Sequence, residues 1–159
     1  LVLCTNQDVS DPRLRDGLFA HVERGEGLVV LHPGAWFNWA DWPEYNARLV
    51  GGGARSHENL QEFEVRIVDA AHPVTQGAPA SFRIVDELYR AERRDSDARI
   101  HVLAIGRSLE TGAEYPVLWT VERAKGRTVV LTLGHDGRAH EHPAFKQLYA
   151  NSVRWTLDR

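Results

Sequence analysis

Two short apolar runs, Leu1-Val2-Leu3-Cys4 and Gly27-Leu28-Val29-Val30-Leu31, bracket one amphipathic segment, and this arrangement restricts the fold more than any other feature of the chain. The segment between them opens at Asp11-Pro12, a capping residue followed by one suited to the first helical position. It carries Leu14, Leu18 and Val22 at i, i+4 and i+8, and Gly25 closes it. Strand, helix and strand at this spacing form a βαβ unit with a parallel pair. An α/β class follows.

The second run ends in His32-Pro33-Gly34. A strand entering a tight Gly-containing turn presents its last side chain at the mouth of an α/β sheet, where such folds place their chemistry. An imidazole there serves as base, acid or metal ligand, but it is a poor substitute for the Ser or Cys of covalent catalysis. The Pro33-Gly34 turn is expected to lift it out of the core. Residues 35–42 are dense in aromatics without periodicity and read as a loop entering a short helix at 43–50, which Gly51-Gly52-Gly53 ends. Residues 62–68 alternate apolar with charged, giving a strand with one wet face. Further strands are expected at 81–85, 100–104, 116–121 and 127–133, with turns at Pro73, Gly77, Gly112 and Gly126. Pro143 opens a last helix with Phe145, Leu148, Tyr149 and Val153 at helical spacing. No repeat or linker interrupts residues 1–159, so one domain is expected, its middle carrying extra β structure.

The formal charge of −3, with no run of five or six like charges, excludes a nucleic-acid footprint and a polybasic membrane patch. No apolar run reaches the length of a membrane span. A small-molecule partner is favoured. The single cysteine, Cys4, excludes an internal disulfide and a Cys-based zinc cluster, and its apolar surroundings suggest a buried, inert thiol. The chain opens at Leu1 without an initiator Met, already inside an apparent strand, which leaves the compartment open with the cytoplasm favoured.

Four polar residues stand at strand ends or in turns: His32, His57, Glu87 and His135. Three imidazoles and a carboxylate suit a divalent ion such as zinc, with His32, His57 and His135 as ligands, or acid/base work by His32, His135 and Glu87. His140 and His142 flank Glu141 before Pro143 and read as capping sequence, while His21, His72 and His101 carry no chemistry. Trp36, Trp39 and Trp42 have two readings, stacking on the apolar faces of sugars or packing a loop. Asn38, Asp41 and Arg55 could bind hydroxyl groups or cap the loop, and the expected substrate contacts are Trp36, Trp39, Asn38, Arg55 and His57.

Six motifs, in order, resemble the ThuA-like (trehalose utilisation) proteins. They are Val30-Leu31-His32-Pro33-Gly34-Ala35-Trp36; Leu49-Val50-Gly51-Gly52-Gly53 with Ser56-His57; Asp69-Ala70-Ala71-His72-Pro73-Val74; Asp86-Glu87-Leu88-Tyr89; Pro116-Val117-Leu118-Trp119; and Leu133-Gly134-His135. The resemblance implies a flavodoxin-like, class I glutamine amidotransferase-like three-layer sandwich with a mostly parallel sheet. Amidotransferases carry a Cys in the motif that His32 occupies here, so a Cys-dependent amidotransferase is not expected. Members of the family usually begin with a further strand and helix, which implies a sheet edge covered by a partner chain, in a homo-oligomer, or by further residues. The implied role is carbohydrate utilisation, acting on a disaccharide or on a 3-keto-glycoside made by a partner sugar dehydrogenase. A hydrolase, lyase or isomerase would then use His32 or His135 as base, with Glu87 orienting an imidazole or completing a metal site. No nucleotide cofactor is expected. The competing class is a non-catalytic sugar-binding or regulatory module, whose mark would be an open groove lined by Trp36, Trp39 and Trp42.

Overall fold

The computed structural model describes residues 1–93, 99–123 and 125–158. It opens with strand β1 (Val2–Leu3), helix α1 (Pro12–Glu23) and strand β2 (Leu28–Leu31), the two strands parallel with Val2 opposite Val29 and Leu3 opposite Val30. Asp11 caps α1, its carboxylate accepting the Arg13 N–H at 2.9 Å. The expected helix at 43–50 is present, with its last six residues, Tyr45–Val50, wound as a π-helix. The buried Asn46 amide within it ties the aromatic loop to the start of the next strand, donating to the carbonyls of Trp36 (3.0 Å) and Gly52 (2.8 Å).

The chain continues through β3 (Gly52–His57), β4 (Gln61–Ile67), β5 (Ser81–Asp86), β6 (Tyr89–Arg93), β7 (Arg99–Arg107), β8 (Glu114–Arg123) and β9 (Gly126–Leu131) into α2 (Gly137–Glu141) and α3 (Pro143–Leu157). One seven-stranded sheet has the order β1-β2-β9-β8-β7-β4-β5. The expectation of a mostly parallel sheet is corrected: only β1 with β2 and β2 with β9 run parallel, and every other neighbouring pair is antiparallel. Residues 108–113 and 124–125, which join β7 to β8 and β8 to β9, fall short of the roughly dozen residues a parallel crossover needs.

β3 and β6 form a separate antiparallel pair. The glycines at 51–53, expected to end the helix at 43–50, also begin a strand, since β3 starts at Gly52. A Cβ on Gly52 would stand 2.1 Å from the Glu92 carbonyl oxygen, so only glycine lets these backbones approach.

The alternation along β2 and β9 builds a core on each sheet face. Leu28 and Val30 join Val130, Trp119, Tyr45 and Val22 of α1 on one side. Leu31, Val129 and Leu131 join Phe145, Leu148 and Trp155 of α3 on the other. Each such side chain stabilises the fold by about 1.5–3 kcal/mol. In α1 only Val22 is buried, and Leu14 is exposed. β4 has its wet face, with Phe63 and Val65 buried between exposed Glu62, Glu64 and Arg66. Cys4 is exposed at the end of the edge strand rather than buried as expected, because no further strand covers it among the described residues. No described helix is long and apolar enough to cross a membrane.

Two histidines open helical turns as caps. His142 Nδ1 accepts the Ala144 N–H at the start of α3, and His72 Nδ1 accepts the Val74 N–H at the start of a 3-10 turn, Pro73–Thr75, both at 3.2 Å. Burial beside Trp155 lowers the pKa of His72, and nearby His101 lowers it further. The unfolded chain, with an ordinary value near 6.5, therefore takes up this proton first. Stability from the neutral ring is present above that value and lost as pH falls below it. Thermal melts between pH 7.5 and pH 5 should show this loss as a falling melting temperature. His72→Asn, which keeps a cap acceptor without titrating, should flatten the slope.

Candidate functional site

The parallel register of β2 with β9 pairs Leu31 with Leu131 and so sets His32 beside Thr132. His32 Nδ1 lies 2.7 Å from the Thr132 carbonyl oxygen. A carbonyl only accepts, so Nδ1 carries the hydrogen and Nε2 keeps a free lone pair. Contrary to expectation, the turn does not lift this ring out of the core, since His32 is 5% exposed. Burial lowers its pKa against the pull of the Thr132 carbonyl and of Glu87, which favours the neutral ring. The backbone is strained: His32 has φ of 40°, and no other described non-glycine residue has a positive φ. Such a conformation costs about 1–3 kcal/mol and clusters at functional sites. Asn38 donates to the Pro33 carbonyl at 2.7 Å and holds the turn that follows.

Glu87 lies where the chain leaves β5 of the large sheet and enters β6 of the small one. Three imidazoles converge on its carboxylate. His32 Nε2 is 3.6 Å from Oε2, His135 Nδ1 is 3.1 Å from Oε2, and His57 Nδ1 is 3.6 Å from Oε1. His135 follows β9 through Gly134, whose φ of 116° suits glycine and swings the chain over the sheet edge. The His32 and His135 rings are 5.4 Å apart, at the carboxyl ends of two parallel strands. His57 ends β3, with Nδ1 2.8 Å from the Glu58 carbonyl oxygen.

Tyr89, the first residue of β6, belongs to this cluster and was not singled out as a site residue from the sequence. Its ring lies 4.5 Å from His32, 5.2 Å from Trp36 and 6.1 Å from His57. Burial, with the charges of Glu87 and Asp86 adding to it, pushes the phenol well above its ordinary pKa and keeps it a hydrogen donor. Asp86 is also pushed up by burial, while backbone N–H bonds from Gly134, Glu87 and His135 draw it down.

His32, Glu87 and His135 each offer one ligand atom, and these atoms lie within 4.8 Å of one another. Ligands on a tetrahedral zinc ion with bonds near 2.1 Å stand about 3.4 Å apart, close to the spacings around Glu87 Oε2. The His32 bond to the Thr132 carbonyl is the support that metal-binding imidazoles commonly have on their other nitrogen. The group thus fits a divalent ion, with Glu87 included and His57 outside it, where the sequence suggested three histidines.

Of the expected substrate contacts, Trp36 and His57 stand at this cluster, their rings 5.8 Å apart. Trp39 and Trp42 do not. Both are buried against Tyr45, and the Trp39 N–H donates to the Gln7 carbonyl, so these rings pack the loop. Exposed Arg55 lies over the Phe37 ring at 4.2 Å, and Asn38 is occupied by Pro33. Among the described residues neither forms a bond to the histidine cluster.

The fold and cluster define an α/β domain with a His–Glu–His group at the carboxyl ends of parallel strands. The family model for trehalose utilisation, ThuA, matches residues 1–156, and the chain belongs to that family. A ThuA-like protein from Parabacteroides merdae is 25% identical with a TM-score of 0.86, the match covering 98% of this chain and 68% of that one. A second, from Bacteroides uniformis, is 23% identical with a TM-score of 0.78, covering 100% and 68%. A β-galactosidase from Bacillus circulans shares the fold at a TM-score of 0.61 and 15% identity, over 93% of this chain and 21% of the enzyme. No curated protein sequence matches.

The two roles of tryptophan separate by stability. Trp39→Ala should lower the free energy of unfolding by about 3–5 kcal/mol, as for a large core side chain. Half-buried Trp36→Ala should lower it by less than about 1.5 kcal/mol, in urea titrations run side by side. The reverse order would return Trp39 to the surface of the site.

Proposed function

We propose that the chain is a carbohydrate-processing enzyme that acts on a disaccharide or a 3-keto-glycoside, the latter supplied by a partner sugar dehydrogenase. Membership of the trehalose utilisation family supports the substrate class. The convergence of His32, His57 and His135 on Glu87 is the observation that carries the chemistry. His32, neutral and with Nε2 free, removes a proton beside a sugar carbonyl or from an attacking hydroxyl. The Glu87 carboxylate stabilises the imidazolium that results and orients His135, which returns a proton to the leaving oxygen. Tyr89 and His57 hold hydroxyl groups, and Trp36 offers an aromatic surface for a sugar face. A divalent ion held by His32 Nε2, Glu87 and His135 would supply Lewis-acid polarisation of the carbonyl, and His32 would then serve as ligand in place of base. The same reading takes β1, β2 and β9, with α1 and α3 on opposite faces, as the flavodoxin-like part of the domain. The non-catalytic binding module draws less support, because the groove of three tryptophans that it required is replaced by packing of Trp39 and Trp42.

Glu87→Gln keeps the size of the side chain and removes its charge. Turnover on a panel of disaccharides and their 3-keto forms should fall by roughly a hundredfold or more, with the melting temperature changed little. Unchanged turnover would remove Glu87 from the mechanism. Protein purified without a histidine tag or chelator should hold close to one divalent ion per chain by elemental analysis. Activity that survives exhaustive chelation would separate the acid/base chemistry from the metal.

A further inference from the structure

Asp86, the last residue of β5, is fully buried yet carries a carboxylate. Its oxygens accept three backbone N–H groups: Oδ2 from Gly134 at 2.7 Å, and Oδ1 from Glu87 at 2.8 Å and His135 at 3.1 Å. Two of these donors are site residues and the third is the glycine that aims one of them. Glu87 and His135 lie 48 residues apart and enter from different strands, so few local constraints relate their backbones. A buried carboxylate is costly unless several donors meet it, and an apolar residue would fill the space without that cost. Its retention here coincides with the point where β5 meets the β9–α2 loop.

We propose that Asp86 is the positioning residue of this site: one carboxylate ties the Glu87 and His135 backbones together, and so keeps Glu87 Oε2 and His135 Nδ1 3.1 Å apart as donors for a divalent cation. The cation half rests on the reading of the preceding section; the clamp itself rests on the three hydrogen bonds. Alanine removes the acceptor from all three N–H groups, whereas an asparagine oxygen in the place of Oδ1 would still serve Glu87 and His135 together and lose only Gly134.

The test is cobalt(II) titration followed by d–d absorption, together with amide hydrogen exchange, on wild type, Asp86→Ala and Val22→Ala. Val22 of α1 packs into the core away from the site, and its truncation serves as a destabilised control. Asp86→Ala should weaken cobalt binding by about 10- to 100-fold, as loss of a ligand-supporting group does. It should also speed exchange at the Gly134 and His135 amides relative to Val22→Ala, which should leave cobalt affinity unchanged. A folded Asp86→Ala protein with wild-type cobalt affinity and wild-type protection at these amides overturns the proposal. If wild type takes up no cobalt, the metal reading fails and the exchange data alone judge the clamp. If the Ala variant does not fold, the wild-type amides decide: protection of Gly134 and His135 supports the clamp, and rapid exchange in the native protein overturns it.

Discussion

The pairing of β2 with β9 is the constraint on which the rest depends. Its parallel register, Leu28 with Thr128 through Leu31 with Leu131, aligns the two strand ends and delivers the Thr132 carbonyl to the His32 ring. A slip of one residue would exchange the faces of Val30 and Leu31, splitting both cores at once. The same slip would take the carbonyl from the imidazole. Core packing and the protonation pattern of the site are therefore consequences of a single alignment.

Around that alignment the site combines features that are unfavourable when taken singly. His32 adopts a left-handed backbone in a buried position, and the carboxylates of Asp86 and Glu87 lie adjacent in sequence. Each has a specific partner: the Thr132 carbonyl for His32, three backbone N–H groups for Asp86, and the His135 ring at 3.1 Å for Glu87. The packed surroundings hold these partners in place, since rings of Tyr89 and Trp36 back the histidines. This is the pattern expected where local stability is given up for preorganised chemistry.

What could be read from the sequence follows from how local each signal is. The βαβ opening, the Asp11 and His142 caps and the placement of His32 and His135 at strand ends all rest on neighbours a few residues apart, and the structure contains them. The β3–β6 pair was not legible, because Gly51-Gly52-Gly53 has the composition of a turn and its strand character comes from a partner some 40 residues away. The antiparallel half of the sheet likewise depends on pairing choices that alternation cannot specify. Exposure of Cys4 and burial of Trp39 depend on what covers each side chain. The convergence on Glu87 needed the chain crossing between two sheets, which no spacing of motifs records.

β9 is the last strand in the chain but lies in the middle of the sheet, between β2 and β8. Its insertion joins the two halves of the molecule and brings with it the Thr132 carbonyl, the Gly134 swing and His135. Residues 32, 57 and 87 precede β9 in the chain and His135 follows it, so the full cluster needs β9 in place. Closing so long a loop costs more chain entropy than a local contact. A chain whose final strand has been displaced therefore lacks His135 and the Thr132 carbonyl at the site, and the reactive arrangement exists only in the completed sheet.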